Sequence, residues 1–321
     1  MIIHPELRAL RDDDSPQRNA QEALVARVSA WRNQPHVAAL LDAVKAFAGG
    51  GDLADHPALA RLFDPASDGA MQLAHELAGA TCEALAVNWL GHAPFRHFTD
   101  DTISTLQLAR LGYVTLSLVA IDGSGLARRP PATTADFSPS QVWERVLAGK
   151  ARAVVIDRGA TRPDRADLSA SDVSLAPGSL IVRDARSRHM RLESFEGCLV
   201  SLRLQRRLPD AGPTREYALV DGTLVHQAAG TPVDSRAELM MALLGRMGRT
   251  DAAPAMAAIA CEAGSTPMRW QALREFLSLD TAAGFSALSE VARRADDELA
   301  PAAGALRSQL IESYPQLREI A

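Results

Sequence analysis

The densest polar cluster in the chain is Gly91-His-Ala-Pro-Phe-Arg-His-Phe-Thr-Asp-Asp101. It sets His92 and His97 five residues apart beside Arg96, Asp100 and Asp101. Imidazole and carboxylate groups on a loop are the donor types that hold a transition metal or move a proton. The same aspartates also suit a turn, because Asp100-Asp101-Thr102 can bond its own backbone and start a strand. A second cluster, Asp184, Arg186, Arg188 and His189, stands between two apolar runs. Pointing into a barrel mouth, His189 would offer a ligand a hydrogen bond or a metal a nitrogen, and Asp184 would orient the imidazole and raise its basicity. The competing account is a surface turn whose charges pair with one another.

His226, between Val225 and Gln227, is a third candidate, on a strand that could line the same interior. If His97, His189 and His226 converged with a carboxylate, they would supply the donors for a divalent transition metal such as Fe. Without that convergence no cofactor is called for, and ligand binding falls to His189 and Asp184, with His97 and Arg96 at the rim. Nucleophile elbows, phosphate-binding glycine loops, zinc-protease helices and dinucleotide fingerprints are all missing where strand and helix would require them. Enzymes with dispersed catalytic residues leave no such trace, so the question of catalysis stays open.

Composition narrows the field. Thirty-four basic residues against 39 acidic ones give a net charge of −5, which argues against general affinity for nucleic acid. Cys82, Cys198 and Cys261 are widely separated and form no CxxC pair, so free thiols in a reducing compartment are expected. The N-terminal MIIHPELRALRDDD is too charged for a leader peptide, and no run reaches the roughly 20 apolar residues needed to cross a bilayer. A cytoplasmic protein with no membrane partner is the expectation.

The elements that would position these groups follow from periodicity. Leu24, Val25, Val28 and Trp31 form one helix stripe, and Val37, Leu40, Leu41, Val44 and Phe47 form another, ended by Gly49-Gly50-Gly51. Helices are also expected over Pro57–Phe63 and Asp68–Leu90. From about residue 102 the pattern shifts to short strands. They are Thr105–Ala109, Tyr113–Ile121, Gln141–Leu147, Ala151–Asp157, Ser179–Arg183, Met190–Glu193, Cys198–Leu204, Tyr217–Val220 and Thr223–Gln227. Asp122–Ser138, with its glycines and prolines, reads as a loop. Near-regular turns, among them Leu111-Gly112, Ala148-Gly149-Lys150 and Asp221-Gly222, indicate a sandwich or barrel. Trp143 and Tyr217 would line either its pocket or its core. Helical spacing returns at Asp234, where Asp234 or Ser235 would cap Arg236–Met247. Met268–Ala272 is echoed 31 residues later by Leu299–Ala303, as in a short solenoid of helix pairs.

Residues 140–204 resemble the ligand-sensing barrel of AraC-type regulators, a branch of the cupins. Leu147-Ala-Gly-Lys150 followed by an alternating strand is similar to their first hairpin. Leu175-Ala-Pro-Gly178, an apolar strand, then Asp184 and His189 resembles the second cupin motif. The departures bear on chemistry. Asp184 and Arg186 stand where that motif carries proline and glycine. The HxH-plus-glutamate of metal cupins is missing, and Val142–Arg152 offers only Glu144. No basic helix-turn-helix follows, so the resemblance implies a sensor-type barrel without DNA binding. Residues 235–312 resemble HEAT-like repeats, on Met268-Arg269-Trp270, Ala272-Leu273 and Asp280 in an inter-helix turn, which implies a surface for protein contacts.

The expected fold is α+β, with a central cupin-like antiparallel β-barrel or sandwich flanked by all-α units. The expected divisions are residues 1–93, 94–230 and 231–321. The expected function is a non-catalytic binding or accessory protein. Its barrel would hold a small molecule or peptide, and its helices would engage a protein partner or a second copy. The alternative is a metal-dependent cupin-type oxygenase or isomerase.

Overall fold

The helical stripes and the strand alternation near the N-terminal half bury one another. In the computed structural model, which describes residues 8, 10–162, 164–195, 197–208, 212–262 and 264–319, the chain divides into two units. One holds the residues to Thr133 with Ser140–Ala160 and Asp167–Leu208. The other holds Thr134–Pro139, Thr161–Ala166 and the residues from Pro209 onward. Most of the N-terminal stretch weighed above as a leader peptide (residues 1–7 and 9) lies outside the described residues.

In the first unit, α1 (Ser15–Arg32) buries Leu24, Val28 and Trp31, and α2 (Pro35–Ala48) buries Val37, Leu40, Val44 and Phe47. Each carries proline in its first turn, where the missing N–H costs nothing. Helix α2 stops at a glycine run in which Gly50 and Gly51 take φ of +118° and +89°, open to glycine alone at little cost. A short α3 (Pro57–Ala60) and α4 (Gly69–Val87) follow. Helix α4 ends at Val87, short of the expected Leu90, and Trp89 beyond it is 48% exposed.

Among the described residues the strands that follow are β1 (Arg96–Thr99), β2 (Ile103–Leu111), β3 (Val114–Asp122), β4 (Thr134–Phe137), β5 (Ser140–Ala148), β6 (Ala151–Arg162), β7 (Arg165–Leu175), β8 (Leu180–Asp184), β9 (Arg188–Ser194), β10 (Cys198–Arg207), β11 (Thr214–Ala218) and β12 (Leu224–Ala228). They form a six-stranded sheet in the order β1-β2-β3-β10-β5-β8 and two three-stranded sheets, β7-β6-β9 and β12-β11-β4. One face of the large sheet packs on the helices. There Leu116, Leu202 and Leu204 share a core with Val28, Val44, Phe47 and Leu73. On the opposite face Val146 and Leu199 share a second core with Ala151, Ala153, Leu175, Met190 and Leu192 of the β7-β6-β9 layer. The first unit is therefore helices, large sheet and small sheet in layers.

The strand spacing leaves a barrel or a sandwich open; among the described residues the structure has separate antiparallel sheets and no closed barrel. Closure requires the edge strands to pair. Instead β1 and β8 remain the edges of the large sheet, and a turn after Asp184 carries the chain into the other sheet. The segment read as a loop, Asp122–Ser138, holds α5 (Gly123–Arg128) and β4. Asp122 starts that helix by accepting from the Gly125 N–H at 2.7 Å. Strand β7 escapes the alternation rule because its outward positions are mostly polar and exposed.

The second unit joins β4, β11 and β12 to the helices α6 (Pro232–Arg246), α7 (Ala253–Cys261), α8 (Thr266–Leu279), α9 (Thr281–Arg293) and α10 (Ala300–Ser313). Tyr217 is buried edge-on against Phe137, so it belongs to the core. Thr231, three residues ahead of the expected cap, closes α6 by accepting from the Asp234 N–H. Met256, Leu273, Phe276, Phe285 and Leu288 make the helical core. Within it the buried Arg269 donates to Asp297 at 3.0 and 2.5 Å and to the Ala260 carbonyl at 3.2 Å. Those hydrogen bonds hold the Asp297 carboxyl below the ordinary aspartate range. Among the described residues no helix is long and apolar enough to cross a membrane.

The β5–β6 turn gives a direct test of the layering. Gly149 has φ of +87°, and an added Cβ would lie 2.4 Å from the Cys198 carbonyl oxygen. Gly149→Ala is expected to cost about 2 kcal/mol or more, from strained backbone and a clash with backbone atoms. A denaturant midpoint equal to the parent's would show that this turn does not press on β10.

Candidate functional site

Strand β10 lies at the centre of the large sheet, paired with β3 on one side and β5 on the other. Its sequence Leu199-Val-Ser-Leu-Arg-Leu-Gln205 alternates, so Leu202 and Leu204 go to the helices while Ser201, Arg203 and Gln205 go to the opposite face. Register then sets a polar row across the sheet. Arg203 stands opposite Glu144 of β5 and Ser117 of β3, Ser117 opposite Gln107 of β2, and Gln107 opposite Arg96 of β1. This is the face that carries Val146 and Leu199 in the core shared with the small sheet.

Glu144 is the anchor of the row, only 3% exposed. Its carboxylate accepts from Ser201 Oγ at 2.6 Å and from Arg203 Nε and Nη2 at 3.1 and 3.0 Å. Burial pushes the carboxyl pKa up. The Arg203 charge, the hydrogen bonds from Arg203 and Ser201 and the Arg183 charge outweigh it, so the group lies below the ordinary glutamate value. Glu144 is thus a fixed anion at neutral pH. It orients Arg203, which is less buried, and leaves the guanidinium's remaining donors, with Gln107 and Ser117, facing the interlayer side.

The residues that stand out in the sequence fall elsewhere. Asp184 ends β8 opposite Gln141, on the alternate face from Arg183. Its carboxylate accepts from the Arg186 backbone N–H at 3.0 Å and from the Arg186 guanidinium at 2.5–3.1 Å, which lowers its pKa. Asp184 is therefore engaged by its own turn, and Arg188 pairs with Asp157 at 2.6 Å. His189 is half-buried on β9 opposite Ile156. Alternation puts it on the other face from Met190 and Leu192, which belong to the interlayer core. Arg96 and His97 are exposed on β1, with His97 Nδ1 3.2 Å from the Phe95 carbonyl oxygen. Strands β1 and β8 are opposite edges of one sheet, so His97 and Asp184 are not brought together.

His226 is exposed on β12 opposite Glu216, in the second unit. Asp100 makes a strand-starting turn, accepting from the Thr102 and Ile103 N–H groups at 2.8 Å each and from Arg129 at 2.9 Å. Among the described residues no group of three or more His, Cys, Asp or Glu side chains is placed to hold a metal ion. Of the three candidate histidines, His97 and His189 lie on different sheets of the first unit, and His226 belongs to the second unit. Trp143 is core, edge-on to Phe47 at 5.6 Å.

Sequence reasoning notes Glu144 only as the lone carboxylate of Val142–Arg152 and passes over Ser201 and Arg203. The legible signal is a run of Ser, Arg and Gln at every second position inside a strand whose other positions are leucine and valine. Such a pattern ordinarily marks a solvated face.

No family model matches the chain, and no curated protein matches its sequence. Solved structures similar to part of it include the 7S globulin of Momordica charantia, 13% identical over 39% of this chain, at a TM-score of 0.27. The aligned part covers 35% of the globulin chain. KdgF from Halomonas is 16% identical over 36% of this chain and 88% of its own, at a TM-score of 0.26. A cupin superfamily protein from Desulfitobacterium hafniense is 15% identical over 35% of this chain and 83% of its own, at a TM-score of 0.24. Likeness at this level shows neither a shared family nor a shared activity.

Because its pKa is lowered on folding, Glu144 contributes stability that is present above the ordinary carboxyl value of 4.5 and lost as pH falls through the lower folded value. Glu144→Ala is expected to cost roughly 3 kcal/mol at pH 7, by leaving Arg203 unpaired in a mostly buried position. Urea melts of parent and variant at pH 7 and pH 3 check this. The gap should narrow at the lower pH, and a gap that is small at pH 7 would contradict the assignment.

Proposed function

We propose that this chain is a non-catalytic binding protein, and that the sheet face around Arg203 takes a small polar molecule or peptide. One observation carries the reading: an in-register row of Gln107, Ser117, Arg203 and Glu144 on a sheet face that elsewhere packs as apolar core. Polar groups cost free energy in such a place unless they are satisfied. Glu144, Ser201 and Arg203 satisfy one another, while the outer donors of the guanidinium suit a carboxylate or amide. A carboxylate held ionised by a guanidinium is a poor proton donor at neutral pH, which favours holding a ligand over acid–base catalysis.

In this reading the facing sheets form a cupin-like sandwich of the AraC-sensor kind, and Arg203 and Gln107 take the part expected of His189 and Asp184. The helices from residue 231 onward, read as HEAT-like, would engage a protein partner. Support for that is the solvent-facing series Leu239, Met240, Leu243 and Met247, each 59–69% exposed along and just beyond α6.

A thermal-shift screen of amino acids, small dicarboxylates and dipeptides tests the ligand. At least one compound is expected to raise Tm in the parent and to lose that effect in Gln107→Leu, which leaves the Glu144 pair intact. A screen without a hit, or a hit indifferent to Gln107→Leu, would count against the site. Elemental analysis of protein purified without chelators is expected to find no stoichiometric transition metal. One bound equivalent that disappears in His189→Ala would replace this reading with a metal-dependent one.

A further inference from the structure

A cleft of about 450 Å³ opens in the first unit beside α1 and α2, touching the Glu144 row only at its outer end, Gln107 and Arg96. Its floor is a consecutive piece of β2, Gln107 to Leu111, and its walls come from α1, α2 and the segment Pro94–Arg96. Consecutive lining residues mean that the strand presents its edge there. The register explains why: β1 pairs with β2 only from Ser104 to Gln107, so beyond the irregularity at Leu108 the residues Ala109–Leu111 pair with β3 and, among the described residues, have no strand on the β1 side. An open strand edge offers main-chain N–H and C=O groups to another extended chain.

The charge around this edge has one sign. Arg32, Lys45, Arg96 and Arg110 line the cleft against a single carboxylate, Asp42. Among the described residues none of these five is in an ion pair. Arg32 lies with its guanidinium carbon 5.3 Å from the centre of the Phe95 ring, and its Nε is buried with no hydrogen-bond partner among those residues. Leu41, Phe95 and Leu111 supply apolar wall between the cations. Charged side chains usually blunt a sheet edge against any added strand. Four cations and one anion instead repel basic chains and favour an acidic one.

We propose that this edge binds an extended acidic peptide by strand addition. The peptide pairs its backbone with Leu108–Leu111, sets its carboxylates against Lys45, Arg96 and Arg110, and lays an apolar side chain against Phe95. The cleft shares Gln107 and Arg96 with the outer end of the Arg203 row, whereas Lys45 and Arg110 belong to it alone, so their substitutions test it independently of that row.

Fluorescence anisotropy on the full chain tests it with a labelled, acetylated pentapeptide alternating Glu and Val. Saturable binding is expected, weakening at least about tenfold between 50 and 200 mM salt as screening grows. Lys45→Gln and Arg110→Gln, both at exposed positions, are each expected to weaken it about threefold to tenfold. Methylating the peptide's backbone nitrogens keeps its charge and removes its ladder donors, and should weaken binding at least about tenfold. Three results would each overturn the proposal. They are no saturation up to about 1 mM peptide, equal binding of the methylated peptide, and indifference to both substitutions. The Lys/Val counterpart should not bind.

Discussion

A strand paired on both sides must find partners for both of its faces, and β10 does this for the whole first unit. Leu202 and Leu204, each fully buried, tie the N-terminal helices to the sheet. The alternate residues Ser201 and Arg203 cannot join an apolar layer without compensation, and Glu144 on the neighbouring strand supplies it. A slip of one residue between β10 and β5 would put Arg203 into the leucine core and Leu204 against Glu144. The pair is therefore a device of register as much as of stability, since a buried ion pair is a weak stabiliser on its own.

The same logic recurs in the second unit with different parts. Arg269 of α8 is buried beside the helical core and is satisfied by Asp297 and the Ala260 carbonyl. Asp297 in turn accepts from the Leu299 N–H just ahead of α10. One buried cation thus joins the end of α7, the body of α8 and the approach to α10. Small alanine-rich helices have few large side chains to set their packing, and a directional polar link restricts how they sit.

Much of the architecture is legible in the residues alone. The helix stripes of residues 15–48, their glycine stop and the turns at Gly112, Gly149 and Gly222 all follow from local rules, and each of those turn glycines has positive φ. Strand β7 and helix α5 are not legible. The first has too little apolar alternation, and the second depends on a single aspartate cap inside a glycine-rich stretch. The candidate site is hidden for a related reason. Histidines draw attention because their chemistry is recognisable in isolation, whereas Glu144 and Arg203 mean little until their strands are known to be neighbours.

By itself the sequence determined most of the segments that are helix or strand, because periodicity and turn chemistry act over a few residues. It also determined that β10 has one apolar and one polar face. Only the tertiary structure decided what each face meets. Strand order placed Glu144 beside Arg203 although they are 59 residues apart, and put Asp184 and His97 on opposite edges of one sheet. It also left Leu108–Leu111 with no strand on the β1 side among the described residues. Pairing between distant strands is set by the burial of the whole core, and no window along the chain contains that information.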